Sequence, residues 1–239
     1  MLASSGCAHS HNTPLLHNHF KNSQVNEPSP CDSNTRKHHS CVMSPLLVHP
    51  TQFAIGLHDV EKKRAKIAAI KDSPNEVQDY LQKNKLRAVK GPEETFYIVD
   101  GHHRCRALAE ESIDKVYLEI IEDESGMTRT DFWQKMARRH LVWPYDENGD
   151  GPLDPLSIPG NVLNLSDDPY RAIAEDALDE GAYEKTDVPF QQFMWANFYR
   201  KRIDRSLVRS DYAAALRKAK SISHEPAAKD LPGYINNRP

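Results

Sequence analysis

The stretch from Tyr97 to Glu111, YIVDGHHRCRALAEE, constrains the fold more than any other part of this chain. Three apolar residues run into Asp100-Gly101, and a helical pattern starts at once, with His102, His103, Arg104 and Arg106 in its first turns. A strand that becomes a helix within two residues needs a backbone able to bend sharply, which Gly101 supplies while leaving room for a ligand. The first turn of a helix has free N–H groups and about half a positive charge, so it favours an anion. Acids normally answer that charge. Here imidazoles and guanidinium groups surround it, so the negative partner is expected from outside the chain.

Each residue of the turn has a chemical use. His102 and His103 can donate to phosphate oxygens or move a proton near neutral pH. Arg104 adds a fixed positive donor. Asp100 can hold Mg²⁺, orient a histidine or act as a base. The plain alternative is an aspartate helix cap flanked by surface histidines.

From Pro45 onward the pattern alternates between strand and helix. Leu46–Val48 reads as a short strand, and Asp59–Ile70 as a helix with Val60 and Ile67 inward. A second helix starts near Asn75, with Ser73 or Asn75 as its cap. Leu86–Asp100 reads as two strands around Gly91-Pro92, and Lys115–Ile121 as a further strand. After Glu122 the segments RTDFWQKMARRHLV, DDPYRAIAEDALDEGAY, PFQQFMWANFYRKRI and SDYAAALRKAKS are helical, and the Phe190, Phe193, Met194 and Phe198 stripe reads as core. An α+β fold is expected, with a small mixed-sheet domain over 45–123 and an all-helical subdomain over 124–239. Residues 1–44 are rich in His, Asn, Ser and Pro without apolar periodicity, which predicts a disordered tail. Its histidines and cysteines lack finger-like spacing for a metal.

The bulk properties exclude some classes. A net charge of -3 supplies no global field toward nucleic acid or anionic lipid. No apolar run approaches the ~18 residues of a membrane helix, and MLASSGCAHS is a poor signal peptide. Of four cysteines, Cys7, Cys31 and Cys41 fall in the tail and only Cys105 in the expected domain. No disulfide framework is therefore expected, and a reduced, cytoplasmic protein is.

Other segments carry weaker signals. Asp146-Glu147-Asn148-Gly149-Asp150-Gly151 matches half of a calcium loop, but Ser157 stands where its bidentate Glu belongs. ARRH at 137–140 and YRKRI at 199–203 are basic faces, solvated or in contact with phosphate. Asp167-Asp168-Pro169 reads as a helix start, leaving Arg171 to face the first domain's site. Gln52 is placed to line the same pocket.

VDGHHRCRAL resembles the signature turn of the ParB/sulfiredoxin superfamily, whose Gly-x-x-Arg turn holds nucleotide phosphates. HPTQFAIG at 49–56, LSDDPYRAIA at 165–174, PFQQFMWANFYRKRI and LPGY at 231–234 are similar to segments of its ParB-like nuclease group. The Asp-Gly-His variant is more distantly similar to free-serine kinases. His102 stands where sulfiredoxin places its reactive cysteine, and Gly-His-His-Arg replaces the Gly-Glu-Arg-Arg of partitioning ParB. The resemblance implies a nucleotide ligand (ATP, ADP or CTP) with Mg²⁺ at Asp100. It also implies phosphoryl transfer or phosphoester hydrolysis, with phosphate on Gly101, His102, His103 and Arg104. A small acceptor or a phosphodiester would enter beside Gln52 and the Asp59 helix, with Glu61 as a base. The alternative is a nucleotide-responsive module without turnover, DNA-associated if a local patch offsets the net charge. Exposed aromatics around Trp195 leave room for a homodimer.

Overall fold

Strand and helix periods alternate through the first half much as the apolar pattern predicts. The elements run β1 (Ser40–Met43), β2 (Ala54–Ile55), α1 (Leu57–Ala68), α2 (Pro74–Lys83), β3 (Leu86–Lys90), β4 (Phe96–Ile98), α3 (His102–Glu110) and β5 (Val116–Asp123). They belong to a computed structural model that describes residues 27–236. β1, β5, β3 and β4 form one sheet in that order. β5 runs parallel to β3 and antiparallel to β1, and β3 is antiparallel to β4. This is the mixed sheet of an α+β fold.

Period-2 alternation sends alternate side chains of the sheet to opposite faces. Leu86, Ala88, Phe96 and Ile98 join Val60, Ile67 and Leu108 of α1 and α3 in the larger core on one face. Val89 and Tyr97 face the other way, onto α4 (Arg129–Arg138) through Phe132, Trp133 and Met136. Thr128 caps α4 by accepting the Asp131 N–H at 3.2 Å. The expected division after residue 123 is thus not where the packing divides, because α4 closes the sheet domain. Two further segments also return to that domain. β6 (Ser166–Asp167) pairs in parallel with β2, and Val162 and Leu165 enter the larger core.

The helical half begins at α5 (Pro169–Asp179) and continues through α6 (Gln191–Arg200), α7 (Arg205–Ser210) and α8 (Tyr212–Ser223). Its core holds Ile173, Ala177, Tyr183, Trp195, Tyr199 and Ala215. Trp195 is 0% exposed, stacks on Tyr183 at 4.2 Å and donates its indole N–H to the Pro232 carbonyl at 2.9 Å. The surface aromatics expected around Trp195 are interior, so that basis for a homodimer is gone.

The tail reading also changes. Residues 1–26, with the histidines at 9, 11, 17 and 19 and Cys7, lie outside the described residues. From Glu27 the chain is ordered against the sheet edge. Val42 N–H donates to Ser29 O and Cys31 N–H to Val42 O, both at 2.9 Å. Cys31 and Cys41 are disulfide-bonded, with Cα atoms 4.9 Å apart, while Cys105 is free and buried. A composition too polar for its own core still suffices when a formed sheet offers β1 an edge. With this bond present, cysteine usage does not argue for a reducing compartment. Leu46–Val48 is a turn instead of a strand, with Leu46 and Leu47 exposed. Among the described residues no helix is long and apolar enough to cross a membrane.

Gly56, just before α1, shows how tightly the two halves meet. A Cβ there would lie 2.7 Å from the Ala172 backbone nitrogen and 2.8 Å from its Cβ. Gly56→Ala is expected to cost about 1–3 kcal/mol by overpacking, read as a lowered urea midpoint. Gly126→Ala, with nothing within 4 Å, is the control and should move little.

Candidate phosphate site

Gly101 precedes α3 with φ +87°, the left-handed region, and a Cβ there would strike Leu86 Cδ2 at 2.5 Å. Glycine is required on both counts. No side chain caps α3. Asp100 Oδ1 accepts the Gly101 N–H at 2.8 Å, and Asp100 itself is exposed.

Both histidines that follow are buried and face inward. His102 Nε2 accepts the Thr51 N–H at 3.0 Å, and His103 Nε2 accepts the Gly56 N–H at 3.1 Å. An imidazole that accepts at Nε2 is neutral and carries its proton on Nδ1. Burial pushes His102 down to about 4, opposed by Asp100 and reinforced by Arg171. Burial likewise holds His103 well below the ordinary range, with Arg171 adding to it. His103 Nδ1 lies 3.8 Å from Asp59 Oδ2, and Asp59 is held by Lys63 at 2.8 Å. Through these contacts the pair ties the first turn of α3 to the segment from His49 to Gly56.

Three of the quoted segments are therefore one construction. Thr51 also donates its hydroxyl to Ile98 O at 2.9 Å, at the end of β4. Asp167 accepts the Leu57 N–H of α1 at 2.9 Å. Asp168 is buried and caps α5 by accepting the Tyr170 and Arg171 N–H groups at 3.0 and 3.2 Å, as its sequence position predicts. Burial raises the Asp168 pKa, and Arg200, 2.5 Å away, works against that rise. Tyr170 spends its hydroxyl on Ile203 O at 2.8 Å.

This framework holds a cavity of about 400 Å³ over the start of α3. Asp100, Gly101, His102, His103, Gln52 and Arg171 all line it, so six of the eight expected site residues come together. The buried Gln52 donates its amide N–H to Ala54 O at 2.7 Å. Arg171 is 8% exposed, donates to Glu175 at 2.8 Å, lies over the Phe193 ring at 5.3 Å, and leaves its Nε without a partner. Burial raises the Glu175 carboxyl, but the adjacent Arg171 guanidinium outweighs it and leaves the group below the usual range.

Two expected residues are elsewhere. Arg104 turns away from the cavity and donates to Asn84 O at 3.2 Å, at the end of α2. Glu61 sits on the outer side of α1, bound to Arg64, which also binds Glu111 just past the far end of α3. Glu61 cannot serve as a base at this turn. Asp59, two positions earlier, is the acid of α1 that points inward.

The cavity adds cations from outside the turn. Arg87 from β3, Arg139 after α4 and Lys185 from the loop before α6 line it, against the acids Asp100 and Asp187. Arg139 is paired with Glu122 at 2.6 Å. Arg139 falls within the ARRH face, the one legible hint; Arg87 and Lys185 gave none. Among the described residues no group of three or more His, Cys, Asp or Glu could hold a metal ion. The half calcium loop is a polar turn in which Asp146 accepts the Asn148 and Asp150 N–H groups at 2.8 and 2.9 Å.

A small mixed sheet that ends in a Gly-His-His-Arg turn, with an uncapped helix start facing a cationic cavity, defines a ParB-like domain. A sequence model of the family described as "Putative ParB-like nuclease" matches residues 43–201, and the chain belongs to that family. It is also similar to the crystal structure of protein Atu1540 from Agrobacterium tumefaciens. The two share 31% identity with a TM-score of 0.74, over 82% of this chain and 98% of the other. No functionally curated protein matches the chain.

Proposed function

We propose that the cavity over the first turn of α3 binds the phosphate groups of a nucleotide, and that the protein acts on a phosphoester or phosphoryl bond held there. One observation carries the reading. Arg171 is buried on the cavity wall with an unpartnered Nε, across from a helix start that no side chain caps. A buried donor without a partner is costly, and the guanidinium that carries it would complement a phosphate in the adjoining cavity. Arg87 and Lys185 add positive charge from two other elements, and Arg139 lines the cavity while paired with Glu122. Such chemistry needs mainly positioning and stabilisation of developing charge, which cations and amides provide without a titrating histidine.

Mg²⁺ fits this cavity only as a companion of the ligand. Mg²⁺ is commonly held by one or two carboxylates together with substrate phosphates. Asp100 would be its first protein ligand, and Asp187 lines the same space. When bound, the ion would neutralise phosphate charge.

A second reading is a nucleotide-responsive module without turnover. The engagement of both histidines with backbone amides favours it, because the turn then has no base that titrates near neutral pH. One experiment divides the two. ATP, ADP, CTP and inorganic tripolyphosphate are each added to the full chain with and without Mg²⁺, thermal unfolding is followed, and products are analysed. At a hundredfold excess over Kd, a ligand of the folded state stabilises by about 2.7 kcal/mol. Arg171→Met is expected to weaken binding roughly 10- to 100-fold, as befits a lost charge-assisted hydrogen bond of about 1.5–3 kcal/mol. Stabilisation with product supports the enzyme, and stabilisation without product supports the module. No shift with any of the four compounds rejects the site.

A further inference from the structure

A second cavity, of about 460 Å³, adjoins the cationic one. Trp143, Tyr145, Val142 and Met194 line it alone, while His140, Val188, Pro189 and Phe190 form a wall common to both. The aromatic groups are linked in series. Tyr145 lies 4.8 Å from Trp143, Trp143 stacks on Phe193 at 4.8 Å, and Arg171 lies over Phe193. Trp143 and Tyr145 are half-buried and line this second cavity beside the cationic space.

We infer that this aromatic pocket holds the base of the nucleotide whose phosphates occupy the cavity at α3, an assignment that rests on the phosphate reading above. The two spaces are opposite in chemistry and lie on either side of the shared His140, Val188, Pro189 and Phe190. A ligand that fills both must be flat and apolar at one end and anionic at the other. An acyl chain would not need aromatic walls, and a bare polyphosphate would leave them empty. Stacking on aromatic side chains tolerates any base, so purine and pyrimidine nucleotides are both accepted, while specificity is left to the rim around His140.

Titration calorimetry on the full chain tests this with ATP, CTP and inorganic tripolyphosphate as probes. Nucleotides are expected to bind at least tenfold more tightly than tripolyphosphate. Tyr145→Ala and Trp143→Leu should remove roughly tenfold from nucleotide affinity, the scale of one lost base–aromatic stack, and leave tripolyphosphate binding unchanged. Because Trp143 packs on Phe193, its variant could misfold; the half-exposed Tyr145 keeps the test decisive. Equal affinity for nucleotide and tripolyphosphate, or nucleotide binding indifferent to Tyr145→Ala, overturns the base pocket while the phosphate site stands. Absence of binding by all three probes overturns both, and so tells the two failures apart.

Discussion

Lowering the pH from 6.5 to 4 is expected to cost the protein about 3 kcal/mol of stability through His102 alone. The imidazole titrates near 6.5 in the unfolded chain and at about 4 when folded, because burial disfavours its charge. The unfolded state therefore takes up the proton first. The contribution of His102 is whole above pH 6.5, declines as pH falls below that value, and is spent near pH 4. His103 is shifted in the same direction and steepens the decline. Protonating either ring also removes the acceptor that holds Thr51 or Gly56. The check is a series of urea midpoints from pH 7 to pH 4 for the natural chain and for His102→Gln, whose side-chain oxygen can accept without titrating. Carboxylates titrate equally in both, so the difference isolates the ring. His102→Gln should start lower at pH 7 and lose stability less steeply. Parallel curves would show that His102 is not held neutral by the fold.

Gly233→Ala should destabilise by about 2–5 kcal/mol, from the left-handed backbone and overpacking together. Gly233 has φ +76°, and a Cβ there would come within 1.9 Å of the Glu184 carbonyl oxygen, a backbone atom with little freedom to move. The same residue accepts the Glu184 N–H at 2.8 Å, while the Pro232 carbonyl accepts from Gln191 and Trp195, each at 2.9 Å. Leu231–Tyr234 thus clamps the loop that carries Lys185 and Val188 to the cavities. Gly181 is the control, since it has φ +75° and nothing within 4 Å of its Cβ. Gly181→Ala should lose only the conformational part, about 1–2 kcal/mol. Equal losses at the two positions in thermal unfolding would mean that the clamp contributes nothing.

Features that depend on neighbours in sequence were legible. Gly101 at a strand end predicts the turn, and Pro169 after two aspartates predicts a capped helix, because both effects act within one helical turn. Val60 and Ile67 place the inner face of α1 for the same reason. Errors arose where a distant partner decided. Glu61 and Asp59 are two positions apart on one helix. Only the packing of α1 against α3 puts Asp59 inside with His103 and leaves Glu61 outside with Arg64. Arg104 had the right spacing for the turn but found the Asn84 carbonyl instead. Trp195 reads equally well as surface or interior until Tyr183 is seen stacked on it. The edge strand at Ser40–Met43 hides in a polar segment because its stability comes from β5.

Periodicity, glycine placement and helix caps by themselves determined the α+β order and the strand-to-helix turn at Gly101, since each follows from the local backbone. Tertiary structure decided what the turn's side chains do. The acceptors on His102 and His103 meet amide groups 51 and 47 residues away, and the guanidinium at the cavity comes from Arg171 in the other half of the molecule. Burial then made those imidazoles neutral and left that arginine's Nε unpaired, and burial belongs to the assembled chain alone.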